Sequence, residues 1–195
     1  MWLLTGLGNP GCKYKKTRHN VGFTVIDELV LRFNVDMKGG REHGRAPVIT
    51  GKCQIAGQEI CLIKPLTFMN LSGTAVGRLV RMDPDKTIVI QDDVDMPAGK
   101  LKIKYGGGSG GHKGVASIIE HAGTNNFYRV KIGIGKDPHI AVEDYVLSKF
   151  TPKEFPLIVD AVSEAVAAIE CIIAEGPQKA MNIYNIRGGQ PDGGN

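Results

Sequence analysis

No window of the 195-residue chain is apolar for long enough to span a bilayer, and its amino-terminus has no signal-peptide layout. Both absences predict a cytoplasmic protein. Cysteine is scarce. Cys12, Cys53, Cys61 and Cys171 form no C-x-x-C pair and have no histidine nearby at metal spacing, so reduced thiols and no metal are expected. There is no G-x-S-x-G elbow, and Cys12 has no obvious partner base, which leaves no good serine or cysteine nucleophile. Repeats and linker-like shifts of composition are also missing. With 195 residues, 42% of them hydrophobic, one well-buried domain is expected rather than two. A net charge of only +4 excludes a histone-like polycation.

What charge there is comes in clusters: Lys13–Arg18, then Lys100, Lys102 and Lys104, then Arg129 with Lys131. Several of these adjoin glycine loops, which points to a phosphate-bearing partner. Trp2-Leu3-Leu4 reads as a first strand, and Val21 to Phe33 carries apolar residues at helical spacing with Asn20 as a cap. Asp36–Arg45 is glycine-rich and reads as a loop. Val48–Ile55 and Glu59–Lys64 read as a hairpin, Thr87–Ile90 as a doubly buried strand, and Leu101–Tyr105 and Tyr128–Ile134 as alternating strands. Helices are expected after TFMNLSG, after Gly106–Gly111, and from about Pro156 to Glu175. Strands and helices interleave throughout, so the expectation is one α/β domain with a mixed, mostly parallel central sheet covered on both faces. In such sheets sites form beyond the carboxyl ends of strands. The loops after Leu4, Lys64, Ile90 and Lys104 are therefore expected to converge on one edge.

The first of these loops dominates the sequence. TGLGNPGCKYKKTRHN, residues 5 to 20, packs Gly6, Gly8 and Gly11 around Asn9 and Pro10 and ends in His19-Asn20. The glycines satisfy G-x-G-x-x-G, but no apolar helical period opens at them, which argues against a dinucleotide site and an oxidoreductase. Gathered at the strand ends are Asn9, Tyr14, His19 and Asn20; Phe68, Met69 and Asn70; Asp92, Asp93 and Asp95; and His112 with Lys113. A histidine, a carboxylate ending a buried strand and several amides suit general-base activation of water, with the amides holding a carbonyl and its developing oxyanion. Each residue also has a structural reading. His19 braces the next helix, Asp92 is a turn residue, Asn70 is an N-cap, Phe68 and Met69 belong to a core, and His112 starts a helix.

GLGNPG, YKKTRHNVGF, KPLTFMNLSG, QDDVDMPAGKLKIKYGGGSGGHKG and RVKIGIG, in that order and spacing, resemble bacterial peptidyl-tRNA hydrolase over nearly the whole chain. The resemblance implies a monomeric cytosolic esterase with a single-domain three-layer α/β/α sandwich over residues 1–187, no metal and no cofactor. Its substrate would be the ester between a peptide and the terminal ribose of tRNA. By motif position His19 resembles the base, Asp92 the carboxylate that orients it, and Asn9 the residue that tells N-blocked from free aminoacyl groups. Tyr14, Phe68 and Asn70, beside Met69, resemble contacts to the peptide and the tRNA 3′ end, and Lys104 and Lys131 resemble phosphate contacts. The chain departs from the family at Lys113, where asparagine is usual. That residue is expected either to donate to the substrate as a cation or to point away, the latter fitting an RNA-binding member with reduced catalysis. Gly106–Gly111 is expected to gate the cleft. The tail from 188 to 195, with Gly188-Gly189-Gln190, is expected to be disordered and without a role.

Overall fold

Period-two apolar patterning and one continuous apolar run build the sheet. The computed structural model describes residues 1–42 and 46–187, so the expectations for the tail fall outside the described residues. The strands are β1 (Trp2–Gly6), β2 (Lys38–Glu42), β3 (Ala46–Ile55), β4 (Gln58–Pro65), β5 (Thr87–Asp93), β6 (Leu101–Tyr105) and β7 (Tyr128–Gly133). Their spatial order is β2-β3-β4-β1-β5-β7-β6. The central four, β4, β1, β5 and β7, are parallel, and β3, β2 and β6 pair antiparallel at the flanks.

Successive residues of a strand face opposite sides, and each side has its own core. Leu4, Ile88 and Ile90 pack with α1 (Val21–Arg32), α5 (Phe155–Glu175) and α6 (Pro177–Arg187). Leu3, Ile63 and Val89 pack with α2 (Ser72–Met82) and α3 (Lys113–Ala122). The result is a single-domain three-layer α/β/α sandwich. Each fully buried valine, leucine or isoleucine in it is worth roughly 1.5–3 kcal/mol.

The strand ends and helix starts interlock where glycine permits it. A Cβ on Gly6 would lie 2.3 Å from the carbonyl oxygen of Gly22, and one on Gly22 would lie 2.6 Å from the Leu7 nitrogen. Gly8 is covered by the Phe23 ring in the same way. Two of the three glycines that mimic a dinucleotide fingerprint, Gly6 and Gly8, therefore serve to seat α1 on β1.

One expectation needs correction, and two further elements lie where none was expected. Asp36–Arg45 is not all loop, because Lys38–Glu42 forms β2. Its polar, glycine-rich sequence suits an edge strand that pairs on one side only. The other two are helices that sequence periodicity does not reveal, α4 (Val142–Leu147) and α6. α4 spans under two turns, and α6 mixes Gln178, Lys179, Asn182 and Asn185 among its apolar positions. α6 closes the sheet's other edge: Asn185 accepts from the Ile103 N–H at 2.7 Å and donates to its carbonyl at 3.0 Å.

One buried guanidinium fastens the carboxyl end of α4 and the start of α5 to the loop that carries His19. Arg18 donates to both oxygens of Glu154 at 2.8 Å each and to Ser148 Oγ at 3.1 Å. It lies 4.3 Å from the Tyr145 ring centre and 4.9 Å from that of Phe150. The hydrogen bonds from Arg18, helped by Thr151 and opposed by burial, hold the Glu154 carboxyl down at about 2 from an ordinary value of 4.5. Because the folded-state value is depressed, this stabilisation is full above the unfolded-state value and is lost as pH falls toward 2. Glutamine mimics the protonated acid. Glu154→Gln should therefore cost about 3 kcal/mol in urea unfolding at pH 7, shrinking steadily below pH 5. An equal loss at pH 7 and at pH 2.5 would contradict the linkage.

Candidate active site

Parallel strands place their carboxyl ends on one edge, and there β1, β4 and β5 release the loops that carry Asn9, Phe68–Asn70 and Asp92. β6 corrects the expected convergence. It runs antiparallel to β7, with Tyr105 opposite Tyr128, so Lys104 lies toward the opposite edge. Residues 106–111 then return along the face covered by α2 and α3 and deliver His112 beside Asp92.

Asp92 is 2% exposed and sits between two imidazoles. His19 Nδ1 lies 2.9 and 3.0 Å from its two carboxylate oxygens, and His112 Nε2 lies 3.0 Å from Oδ1. Both tautomers follow from these contacts. A carboxylate only accepts, so His19 Nδ1 carries the proton and Nε2 keeps its lone pair. His112 Nδ1 accepts from the Gly114 and Val115 amides at 3.2 and 3.3 Å, as the N-cap of α3, so its proton is on Nε2. Burial alone would raise the Asp92 pKa. The electrostatic pull of the His112 and His19 rings and their hydrogen bonds outweigh it and hold the carboxyl well below the usual range.

Asn20, expected to cap α1, makes no capping bond. Its amide instead accepts from the Asn9 N–H at 2.8 Å and donates to the Asn9 carbonyl at 2.9 Å. The Asn9 side-chain oxygen accepts from the Met69 N–H at 2.8 Å. These three bonds lock the first loop to the loop after β4 and leave Asn9 Nδ2 as a donor. Asn70 is likewise no helix cap, since α2 has no side-chain cap bond.

A cleft of about 830 Å³ opens over this centre. Asn9, His19 and Asp92 line it together with Tyr14, Phe68, Met69 and Asn70. Lys113 and Lys131 lie on its rim, whereas Lys104 is not among the lining residues. Lys113 Nζ is 3.5 Å from Glu143 of α4, and both side chains are exposed. Lys131 forms an ion pair with Asp93, and Asp93 also accepts from the Asp95 N–H, an ordinary acidic turn. His19, Asp92 and His112 offer metal-ligating atoms within 4.8 Å of one another. A cation there would have to displace the two imidazole protons that already point at Asp92. Sequence reasoning passed over His112 as structural. It is indeed the α3 cap, and the same ring bonds the acidic centre. Its place directly after the glycine segment gave no sign of that contact.

Fold and site together define an α/β protein with a buried histidine–carboxylate pair and, among the described residues, no serine or cysteine side chain hydrogen-bonded to it. The comparisons with known proteins narrow this. The family model described as Peptidyl-tRNA hydrolase matches residues 3–192. Peptidyl-tRNA hydrolase of Thermodesulfovibrio yellowstonii is 52% identical over 190 residues, covering 95% of this chain and 99% of the relative. That of Bacillus subtilis is 40% identical, covering 96% and 100%. The crystal structure of the Acinetobacter baumannii peptidyl-tRNA hydrolase superposes with a TM-score of 0.85 at 33% identity, over 93% of each chain. The chain belongs to the peptidyl-tRNA hydrolase family.

Proposed function

We propose that this chain hydrolyses peptidyl-tRNA with His19 as general base and Asp92 as the group that orients it. The observation that carries the mechanism is the 2.9 Å contact of His19 Nδ1 with Asp92 in a cleft that also holds the Asn9 and Asn70 amides. Water gives its proton to His19 Nε2 and attacks the ester carbonyl. Asp92, ionised throughout, stabilises the imidazolium that forms. The tetrahedral intermediate collapses, the C–O bond to ribose breaks, and the imidazolium returns the proton to the ribose oxygen. Amide donors from Asn9 and Asn70 hold the carbonyl oxygen as its charge grows.

The locked orientation of Asn9 gives a physical reason for sparing charged tRNA. With its oxygen engaged by Met69, it presents only N–H. A peptide carbonyl accepts from that group, whereas a free α-ammonium, itself donor-only, is repelled. Tyr14, Phe68 and Met69 provide surface for the peptide and the terminal nucleotide. Lys131 and Lys104 hold backbone phosphate, which positions tRNA without reading its sequence. The same reading takes the protein to be a cytoplasmic monomer that recycles tRNA from stalled translation. No described helix is long and apolar enough to cross a membrane, and α6 covers one sheet edge.

The direct test is release of N-acetyl-amino acid from N-acetyl-aminoacyl-tRNA, with free aminoacyl-tRNA as the control. Turnover of the first alone is the expected result. Lys113 is tested in the same assay. Lys113→Ala should lower kcat/KM by about tenfold, as expected for removing one charge-assisted hydrogen bond, and Lys113→Asn by less. Parent rates in both variants would remove the side chain from the reaction.

A further inference from the structure

Arg129 is 2% exposed, and among the described residues no carboxylate pairs with it. Its guanidinium is held by three successive carbonyls of the glycine segment. Nη1 donates to Gly108 at 2.7 Å, and Nη2 donates to Gly106 and Gly107. Gly106 and Gly107 have φ of 65° and 85°, a backbone that turns consecutive carbonyls toward one point and that side chains other than glycine rarely adopt. Half of the expected gate is thus anchored, and its anchor is a charge. Arg129 Nε is buried without a partner. Burial pushes the guanidinium pKa below its ordinary value, as expected for a cation with no opposing anion.

Lys104 flanks the same glycine. A Cβ placed on Gly107 would lie 2.9 Å from Lys104 Nζ and 3.8 Å from Arg129 Nη2. Lys104 pairs with Arg129 across β6 and β7, so both side chains stand on one face of the sheet, and Lys102 and Lys131 form the next pair along it. Lys131 is occupied by Asp93, but neither Lys104 nor Arg129 has a carboxylate partner among the described residues. Two cations around one glycine, one of them buried and held by neutral carbonyls and the Phe127 ring 5.5 Å away, form a site completed by an anion. In a protein that takes tRNA, the reading on which this rests, that anion is a backbone phosphate.

We propose that Arg129 is a positioning residue through which a phosphodiester seated at Lys104 resets the glycine segment. An anionic oxygen offers the guanidinium charge-assisted bonds stronger than those to neutral carbonyls. The exchange of partners frees Gly106–Gly108, and the freed segment lets Lys113 settle against the acylated 3′ end while His112 keeps its bond to Asp92. Engagement of tRNA at a distance from the ester thereby raises the rate at the ester, which is remote binding energy used in the reaction.

The test compares kcat on N-acetyl-aminoacyl-tRNA with kcat on the N-acetyl-aminoacyl ester of adenosine, which lacks the phosphates. In the parent the full-length substrate should react faster. In Arg129→Met the ratio of the two values should fall by about tenfold or more, with Arg129→Lys intermediate. Equal losses on both substrates, or no loss on either, would overturn the proposal and leave Arg129 a scaffold residue. Should Arg129→Met not fold, the lysine variant decides by the same ratio. Amide hydrogen exchange gives a second readout without turnover. Deacylated tRNA should speed exchange over residues 106–108 in the parent and do so less in Arg129→Lys, and slowed or unaltered exchange in the parent would sink the idea. If the parent cleaves neither ester, the hydrolase reading has failed, and the exchange measurement still decides the coupling.

Discussion

Replacing His19 by alanine should lower kcat on N-acetyl-aminoacyl-tRNA by about two to four orders of magnitude, with KM changed by less than about threefold. The split follows from geometry. His19 is 9% exposed at the floor of the cleft, so little of its surface is available to ground-state substrate. What the imidazole offers is the Nε2 lone pair, created by the Nδ1 proton committed to Asp92, and that matters only as water gives up its proton. A loss below tenfold in a folded variant would dismiss His19 as the base.

Asp92→Asn should be nearly as damaging, by about three orders of magnitude in kcat, although it changes one heavy atom. The α3 cap keeps the His112 proton on Nε2, so the amide oxygen takes the Oδ1 place, 3.0 Å from His112 Nε2 and 2.9 Å from His19 Nδ1. The NH2 group then takes the Oδ2 place, 3.0 Å from His19 Nδ1, where its protons oppose the Nδ1 proton that the base requires. The negative charge that stabilises the imidazolium is lost at the same time. A loss below tenfold in folded Asp92→Asn would remove Asp92 from the orienting role.

Much of this site was legible before any coordinates. Asn9, His19 and Asp92 stood out because polar residues cluster directly after apolar strands, and the motifs around them are long enough to be specific. Asn20 shows the limit of such reading. An asparagine before a helix is the ordinary sign of a cap, yet its amide is spent on Asn9, eleven residues away, through a contact only the folded chain makes. Arg129 was read as part of a basic cluster, with no hint that its charge is buried under glycine carbonyls. Lys104 was placed with the other loops because strand direction is not written in a strand's own residues.

Local chemistry explains the division. Alternation of apolar and polar residues, helix periods, and the absence of cysteine pairs and long apolar runs are properties of neighbours along the chain. From them the sequence by itself determined an α/β domain and singled out His19 as a candidate base. Which side chain meets which across the sheet depends on strand order and direction, set by the packing of two separate cores. Only the tertiary structure decided that His112 shares the oxygen of Asp92, that Arg18 ties α4 to the catalytic loop, and that β6 runs backward. These are contacts between residues 20 or more positions apart, and the free energy that selects them belongs to the assembled cores rather than to any single stretch.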